Sequence, residues 1–401
     1  MRKYILAVLL SAVFGIAIAG EPLTETQSLR LGLARPEVLD MASGSLSAAE
    51  ADALEAGLWS NPTLDYIHDR TNGAPGTLEQ IWQINQTLDI AGQRNLKRAS
   101  GERKVDAIRA GNAARRDQLA ATIRRNFFEL LRKQESVQAM EAWAQRFAHV
   151  DSVIGKLKKS GEISGYDRRR FARERQAAEA RLATERSELV RQRERLLALI
   201  GRQGAVYDAV AGTLLPDAPP SLDVSLTKLA GRPDLRALAH RAEAAELEGK
   251  AAARGWIPEV TLGVGTKRVN ENSGALIALS IPLPVFDRQQ AADYRTAAQA
   301  QSARAEYRIN QVRAEGELRG LHHQLEQLIA ATAQYRQQAV VPSADLVRIA
   351  ESAYQAGEST ILELLDAYKG ALEAETTALD LEWKAREARI EFDLLSGSFA
   401  E

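Results

Sequence analysis

Two stretches of the chain, 93–159 and 289–355, carry apolar and polar positions in helical order with almost no punctuation. The first contains no proline and only three glycines. At 1.5 Å per residue each would span on the order of 100 Å, far too long for a helix inside an ordinary compact domain. Each stops at a Gly-Glu pair, Gly161-Glu162 or Gly357-Glu358, and a second helical run then returns. In the return limbs Ala178, Leu182, Leu189 and Leu196, and likewise Ile361, Leu365, Tyr368, Leu372 and Leu379, keep a three-to-four spacing. That is a coiled-coil-like seam, interrupted in the second limb by Glu375 and Glu382. The pattern predicts helical hairpins over about 92–200 and 288–396. Pro342 falls inside the second long run and should kink or break it near Val341. Ahead of each hairpin lie a short helical run (about 45–58 and 231–254) and two extended runs split by a polar turn. In the run "ALIALSIPLPVF", Ile277, Leu279 and Ile281 share one face while Ala278 and Ser280 take the other. Strands are expected at about 61–70, 78–90, 257–269 and 275–286.

These two layouts are one layout written twice. Pro62 and Pro258 lie 196 residues apart, as do Gln93 and Gln289, Gly161 and Gly357, and Gly201 and Gly397. An unchanged offset over so long a span marks an internal duplication. The chain therefore divides into a leader at 1–19, a first repeat at 20–201, a Gly- and Pro-punctuated linker at 202–230 and a second repeat at 231–397. A chain with two strand pairs cannot close a barrel, and open sheet edges are not tolerated in lipid. Three copies would supply twelve strands, within the range of membrane barrels.

Composition narrows the picture. The 401 residues hold 52 Lys plus Arg against 53 Asp plus Glu, a net charge of −1, which gives no basic surface for nucleic acid. Cysteine is absent, excluding disulfides, thiolate metal sites and a cysteine nucleophile. Arg2 and Lys3, the apolar run Ile5–Ile18 and the small-x-small triplet Ala17-Ile18-Ala19 form a secretory signal, with cleavage expected near Ala19. No cysteine follows it to carry a lipid. No later stretch is apolar enough to cross a bilayer as a helix, so any crossing falls to strands.

The chemistry concentrates at the two breaks. Glu363 and Asp366 lie three apart, so they share a helix face just past Gly357. Asp167 and Arg170 hold the same positions one repeat earlier, within a basic run that includes Arg168, Arg169 and Arg173. Some of these arginines are expected to pair with Glu363 or Asp366; the alternative is a solvated helix face. His322 and His323 are adjacent, so on a helix they point about 100° apart. With His68, His149 and His240 scattered, no metal site is expected. Gly263 and Gly265 belong to a strand run and not to a phosphate loop. No catalytic constellation or cofactor motif is present, and the chain is not expected to be an enzyme.

The duplicated layout, the break Tyr354-x-x-Gly357-x-x-Thr360 and the following "ELLDA" at 363–367 resemble the TolC family of outer-membrane efflux factors over nearly the whole mature chain. "GLWSNPTLDY", "QTLDIAGQRNLKRA" and "IALSIPLPVFDRQQ" resemble its heavy-metal (CzcC-like) branch, although "DIAGQR" and "FDRQQ" depart from that branch's usual forms. The resemblance implies a mainly α fold with a membrane β-barrel part, built as a homotrimer. A twelve-stranded barrel would sit in the lipid of the outer membrane, and a coiled-coil tunnel would cross the periplasm. Partners would be a periplasmic adaptor and a proton-driven inner-membrane pump of the resistance-nodulation-division class. The implied role is passive export of heavy-metal cations; the alternative cargo is drugs or, by type I secretion, proteins. By the same resemblance Glu363 and Asp366 match the acidic ring of the tunnel aperture, with Asp167, Arg169 and Arg170 beside it. The tip turns Ser160, Gly161, Glu162 and Ala356, Gly357, Glu358, Ser359 match the adaptor contacts.

Overall fold

The computed structural model describes residues 22–73, 76–160, 164–205, 207 and 209–397. The leader, its cleavage site, and Gly161 and Glu162 of the first tip turn lie outside the described residues; of Ser160, only the backbone is described. In chain order the elements are β1 (Leu23–Thr24), α1 (Glu25–Leu33), α2 (Pro36–Gly57), β2 (Thr63–Thr71), β3 (Thr77–Leu88), α3 (Gln93–Ser160) and α4 (Gly165–Leu199). There follow β4 (Val210–Ala211), α5 (Leu222–Lys228), α6 (Pro233–Ala252), β5 (Val260–Val269), β6 (Asn272–Ser280), α7 (Gln290–Tyr335), α8 (Val341–Gln355) and α9 (Ile361–Ser396). The chain divides into two compact units.

One unit comprises Leu33–Ala121, Ala218–Gln327 and the chain from Ala388 onward. Its sheet has the order β2-β3-β5-β6, antiparallel throughout, so the hairpin of each repeat joins the other through β3 and β5. Because side chains alternate across a strand, the register sorts the sheet into two chemistries. Leu64, Trp82, Ile84, Val264, Ile277 and Leu279 fall on one face and are exposed, Ile277 by 78%. Tyr66 packs on Trp82 there with ring centroids 4.4 Å apart. The opposite face carries Asp65, Gln83, Asn85 and the Lys267–Glu79 ion pair. On it Gln83 donates to Asn85, and the Asn85 amide donates to Asp65 at 2.6 Å. A side chain at Gly265 would overlap the Trp82 carbonyl, which is why that position is glycine; one at Gly263 would meet the amide ends of Gln83 and Asn85, which can swing aside. An apolar face against a polar one is the signature of a sheet standing between lipid and a watery lumen. The fourth strand is shorter than the pattern suggested: it ends at Ser280, not near 286. Pro282 and Pro284 lack the N–H a ladder needs, so the apolar run beyond Ile281 leaves the sheet.

Helices begin where the local chemistry allows. Pro36 and Pro233 occupy the first turns of α2 and α6, where a missing N–H costs nothing. The Asp89 carboxylate accepts the N–H groups of Gln93 (3.1 Å) and Arg94 (2.6 Å) and so starts α3. α3 then runs unbroken for 68 residues.

The other unit comprises residues up to Gly32, Thr122–Asp217 and Leu328–Glu387. Its core is aromatic. Phe147, fully buried, lies 5.0 Å from Trp143, 5.4 Å from Phe171 and 5.7 Å from Tyr368 between ring centroids. Ile361, Leu364 and Leu365 close the cluster. The linker, expected to be irregular, holds one ordered register: β4 pairs in parallel with β1, and the Gln134 side chain brackets Val210 with bonds of 3.0 and 3.3 Å. At Pro342 the second long helix does not stop but changes its winding, with Val340 and Val341 both in the αR region. A five-residue π-helical turn, Arg336–Val340, separates α7 from α8. Among the described residues no helix is long and apolar enough to cross a membrane.

Candidate aperture and gate

Both return helices start with the same device. At α4 the Asp167 N–H donates to Ser164 Oγ (3.0 Å), and that hydroxyl donates to Asp167 Oδ2 (2.6 Å). At α9 the Glu363 N–H donates to Thr360 Oγ1 (3.3 Å), and the Thr360 N–H donates to Glu363 Oε2 (3.0 Å). The second is a full capping box; the first is its shorter relative. Ser164 and Thr360 again stand 196 residues apart. The Ser/Thr-x-x-Asp/Glu signal is legible in the sequence and gives Asp167 and Glu363 a helix-starting role beside any role at an aperture.

The second tip turn is set by Gly357, whose φ is +76°. The Gly357 N–H reaches Tyr354 O (3.2 Å) and the Glu358 N–H reaches Ala353 O (2.9 Å), a Schellman closure that satisfies the last carbonyls of α8. Ala356, Gly357 and Glu358 are exposed and Ser359 is half-buried.

The expected arginine–carboxylate pairs do not form within the chain. Arg168 and Arg169 are exposed, and among the described residues Arg170 reaches the Tyr166 hydroxyl, at 3.5 Å. Among the described residues no ion pair links them or Arg173 to Glu363 or Asp366. Farther from the tip, Arg132 and Arg125 of α3 meet Asp380 and Glu387 of α9 at 3.1 and 3.6 Å, but near the tip the pair that joins the two hairpins has the opposite sense. Lys369, on the acid-bearing α9, meets Glu174 of α4 at 2.8 Å, and Arg173 meets the same carboxylate at 2.7 Å. The hydrogen bonds from Lys369 and Arg173 hold Glu174 below the usual carboxylate range. Asp167 faces a different partner: burial first, then the Asp167 charge, pushes the Tyr354 phenol up. Asp366 is left exposed.

The histidines do not converge. His322, 9% exposed, lies with Nε2 3.0 Å from Pro220 O, while His323 meets Gln327. Among the described residues no three His, Cys, Asp or Glu side chains are grouped to hold a metal ion.

Comparison with known proteins agrees with this geometry. Residues 227–398 match the family described as "Outer membrane efflux protein". The cobalt-zinc-cadmium resistance protein CzcC of Cupriavidus metallidurans is 28% identical over 389 residues, covering 94% of this chain and 91% of that protein. The nickel-cobalt-cadmium resistance protein NccC of Alcaligenes xylosoxydans xylosoxydans is 26% identical over 319 residues, covering 77% and 71%. Among solved structures, the outer membrane protein VceC of Vibrio cholerae superposes with a TM-score of 0.79 at 20% identity, covering 93% of this chain and 96% of that one. CusC, described as forming a transmembrane channel, gives 0.79 at 17% identity, covering 93% and 91%. Residues 227–398 thus match the outer membrane efflux family, and the chain as a whole has the fold of these solved outer-membrane channel structures.

Proposed function

We propose that three copies of this chain close a twelve-stranded barrel and form the passive exit conduit of a heavy-metal efflux system. A periplasmic adaptor and a proton-driven inner-membrane pump would supply the cargo. The observation that carries the closure is the sheet itself: two unpaired edges, β2 and β6, on a sheet with one exposed apolar face. An open edge in lipid leaves backbone groups unsatisfied, so the edge of one copy must meet the edge of the next. The cargo assignment is supported by similarity to resistance proteins named for cobalt, zinc, cadmium and nickel. A conduit of this kind needs no resident metal site, since tight binding would slow release.

At the narrow end, Asp366 and the capped Glu363 supply acidic charge that would attract cations. Arg168 and Arg169 are exposed, and in a trimer the basic hairpin of one copy would adjoin the acidic hairpin of the next. The latch is therefore assigned between copies, from Arg168 or Arg169 to Asp366. The adaptor would dock at the two tip turns, Ser160–Gly161–Glu162 and Ala356–Ser359. Deleting the gene and measuring growth on divalent metals beside organic drugs tests the cargo. Sensitivity confined to metals and restored by the intact gene is the expected result; sensitivity to drugs alone would move the conduit to a multidrug pump.

A further inference from the structure

The two repeats share their stops and starts but not their stiffness. At the register of Pro342 the first repeat has Arg146, inside the unbroken helix α3. The second repeat has the π-helical turn Arg336–Val340 followed at once by Pro342 in the first turn of α8. Proline removes an N–H and its ring crowds the carbonyl four residues back, that of Gln338. Widening the helix by one residue relieves the clash, and such turns are recognised sites of helix bending. Ser343 Oγ donates to Ala339 O, one turn back, at 2.7 Å.

This turn is strapped from outside. Arg336 Nε donates to Glu382 Oε1 and Arg336 Nη1 to Glu375 Oε1, both at 2.7 Å. The two acids stand two turns apart on α9, so one guanidinium spans both. Burial works against the arginine's charge, but the bonds to Glu382 and Glu375 outweigh it and keep it protonated. Open grooves flank the strap. One of about 580 Å³ lies beside Glu135, Gln138, Arg336 and Leu379. A second, of about 170 Å³, lies beside Trp143, Ser343, Ala344 and Tyr368. Next to it the Trp143 indole N–H is buried without a hydrogen-bond partner, a costly arrangement in a rigid core.

We propose that the π-helical turn is a hinge for α8, and that Arg336 is the positioning residue that sets the second tip turn by holding the hinge against α9. The 15 residues of α8 make a lever of roughly 22 Å, so a tilt of about 10° moves Gly357 by ~4 Å. The consequence for permeation rests on the conduit reading above; the hinge does not.

Spin labels test the two separately. The chain has no cysteine, so Ala177→Cys on α4 and Glu358→Cys at the lever's end, both exposed, give one intrachain distance by pulsed electron resonance in the full-length protein. Arg336→Gln should shift or broaden that distance by about 4 Å. Arg336→Lys should not restore it, because an ammonium lacks the planar fork that grips two carboxylates. The double substitution Glu375→Gln/Glu382→Gln, with the arginine kept, should reproduce the shift and carries the test should Arg336→Gln fail to fold. An unchanged distance, or full restoration by lysine, overturns the hinge. A shifted distance with unchanged single-channel conductance keeps the hinge and refutes the aperture at the tip turns.

Discussion

Arg386 offers the sharpest test of how the linker between the repeats is held. It lies on α9, only 9% exposed, and donates to three successive carbonyls: Thr213 at 2.6 Å, Leu214 at 2.8 Å and Leu215 at 3.0 Å. Its guanidinium carbon sits 4.1 Å from the centroid of Phe128. Arg386→Met keeps much of the side-chain volume but leaves three carbonyls without their donor. A hydrogen bond to a charged group contributes about 1.5–3 kcal/mol, but the three share one desolvated cation, so they do not sum. A net loss of about 3 kcal/mol is the reasonable scale, roughly a hundredfold in a local opening equilibrium. Hydrogen exchange followed by mass spectrometry reads this locally, and it avoids the irreversible unfolding common in large proteins. Amides of 209–215 should exchange about a hundredfold faster, while those around Phe147 and Phe171 keep their protection. Arg386→Lys should recover part of the effect. Unchanged exchange in the linker would show that the β1–β4 register and Gln134 hold it alone, and the clamp would be refuted.

Gly357→Ala forces an L residue to φ +76° and should cost about 1 kcal/mol, seen as a lower apparent melting temperature; an unchanged midpoint would mean the tip turn relaxes freely. Gly265→Val drives a side chain into the Trp82 backbone and should abolish the oligomer expected on gels, whereas Ile277→Val on the opposite face should leave it intact. Glu363→Gln keeps an acceptor for the Thr360 N–H but removes the charge, so melting should be unaltered while cation selectivity in bilayers falls; equal loss of both would leave Glu363 a cap alone. Glu135 is held above the usual carboxylate range by burial first, then by Glu382, with Arg336 opposing and Glu375 adding. A raised carboxyl contributes stability below its unfolded value of about 4.3 and loses it as the pH climbs through the folded value. Glu135→Gln should therefore match the parent near pH 4 and melt higher at pH 7.5; a constant difference across that range would reject the assignment.

Much of the fold was legible because two periods are strong. Unbroken helical order predicted the long limbs, and the fixed 196-residue offset paired the repeats. Local chemistry refined the ends: Pro282 and Pro284 cut β6 short, and Ser164 and Thr360 started the return helices. The gate was less legible, since ion pairing across hairpins depends on which helix faces meet. The basic run of α4 suggested partners for Glu363 and Asp366, yet the pair that forms is Glu174–Lys369, an acid among the bases and a base among the acids. The interrupted seam told a similar story. Glu375 and Glu382 stand as flaws in a heptad pattern until Arg336 is seen to grip both. No sequence spacing places that arginine opposite them, because the acids lie on another helix, 39 and 46 residues further along the chain.

The π-helical turn also gives the duplication a physical sense. Two hairpins with identical stops would answer a force at the tip in the same way. Here α3 carries the basic hairpin on a continuous helix, whereas the acidic hairpin is carried past a proline, a π-helical turn and two open grooves. Any displacement at the tip would then be concentrated in α8, whose end at Gln355 adjoins the turn that leads into Glu363 and Asp366 on α9. The restoring contact is the Arg336 strap, partly buried and so little screened by salt. Nearer the tip, Lys369 is half-exposed where it meets the more buried Glu174, so its ammonium stays open to screening ions. Salt should loosen the tip pairs before the strap, which separates the two in one titration: raised ionic strength would broaden distances at Glu358 modestly, and Arg336→Gln would broaden them further at every salt concentration.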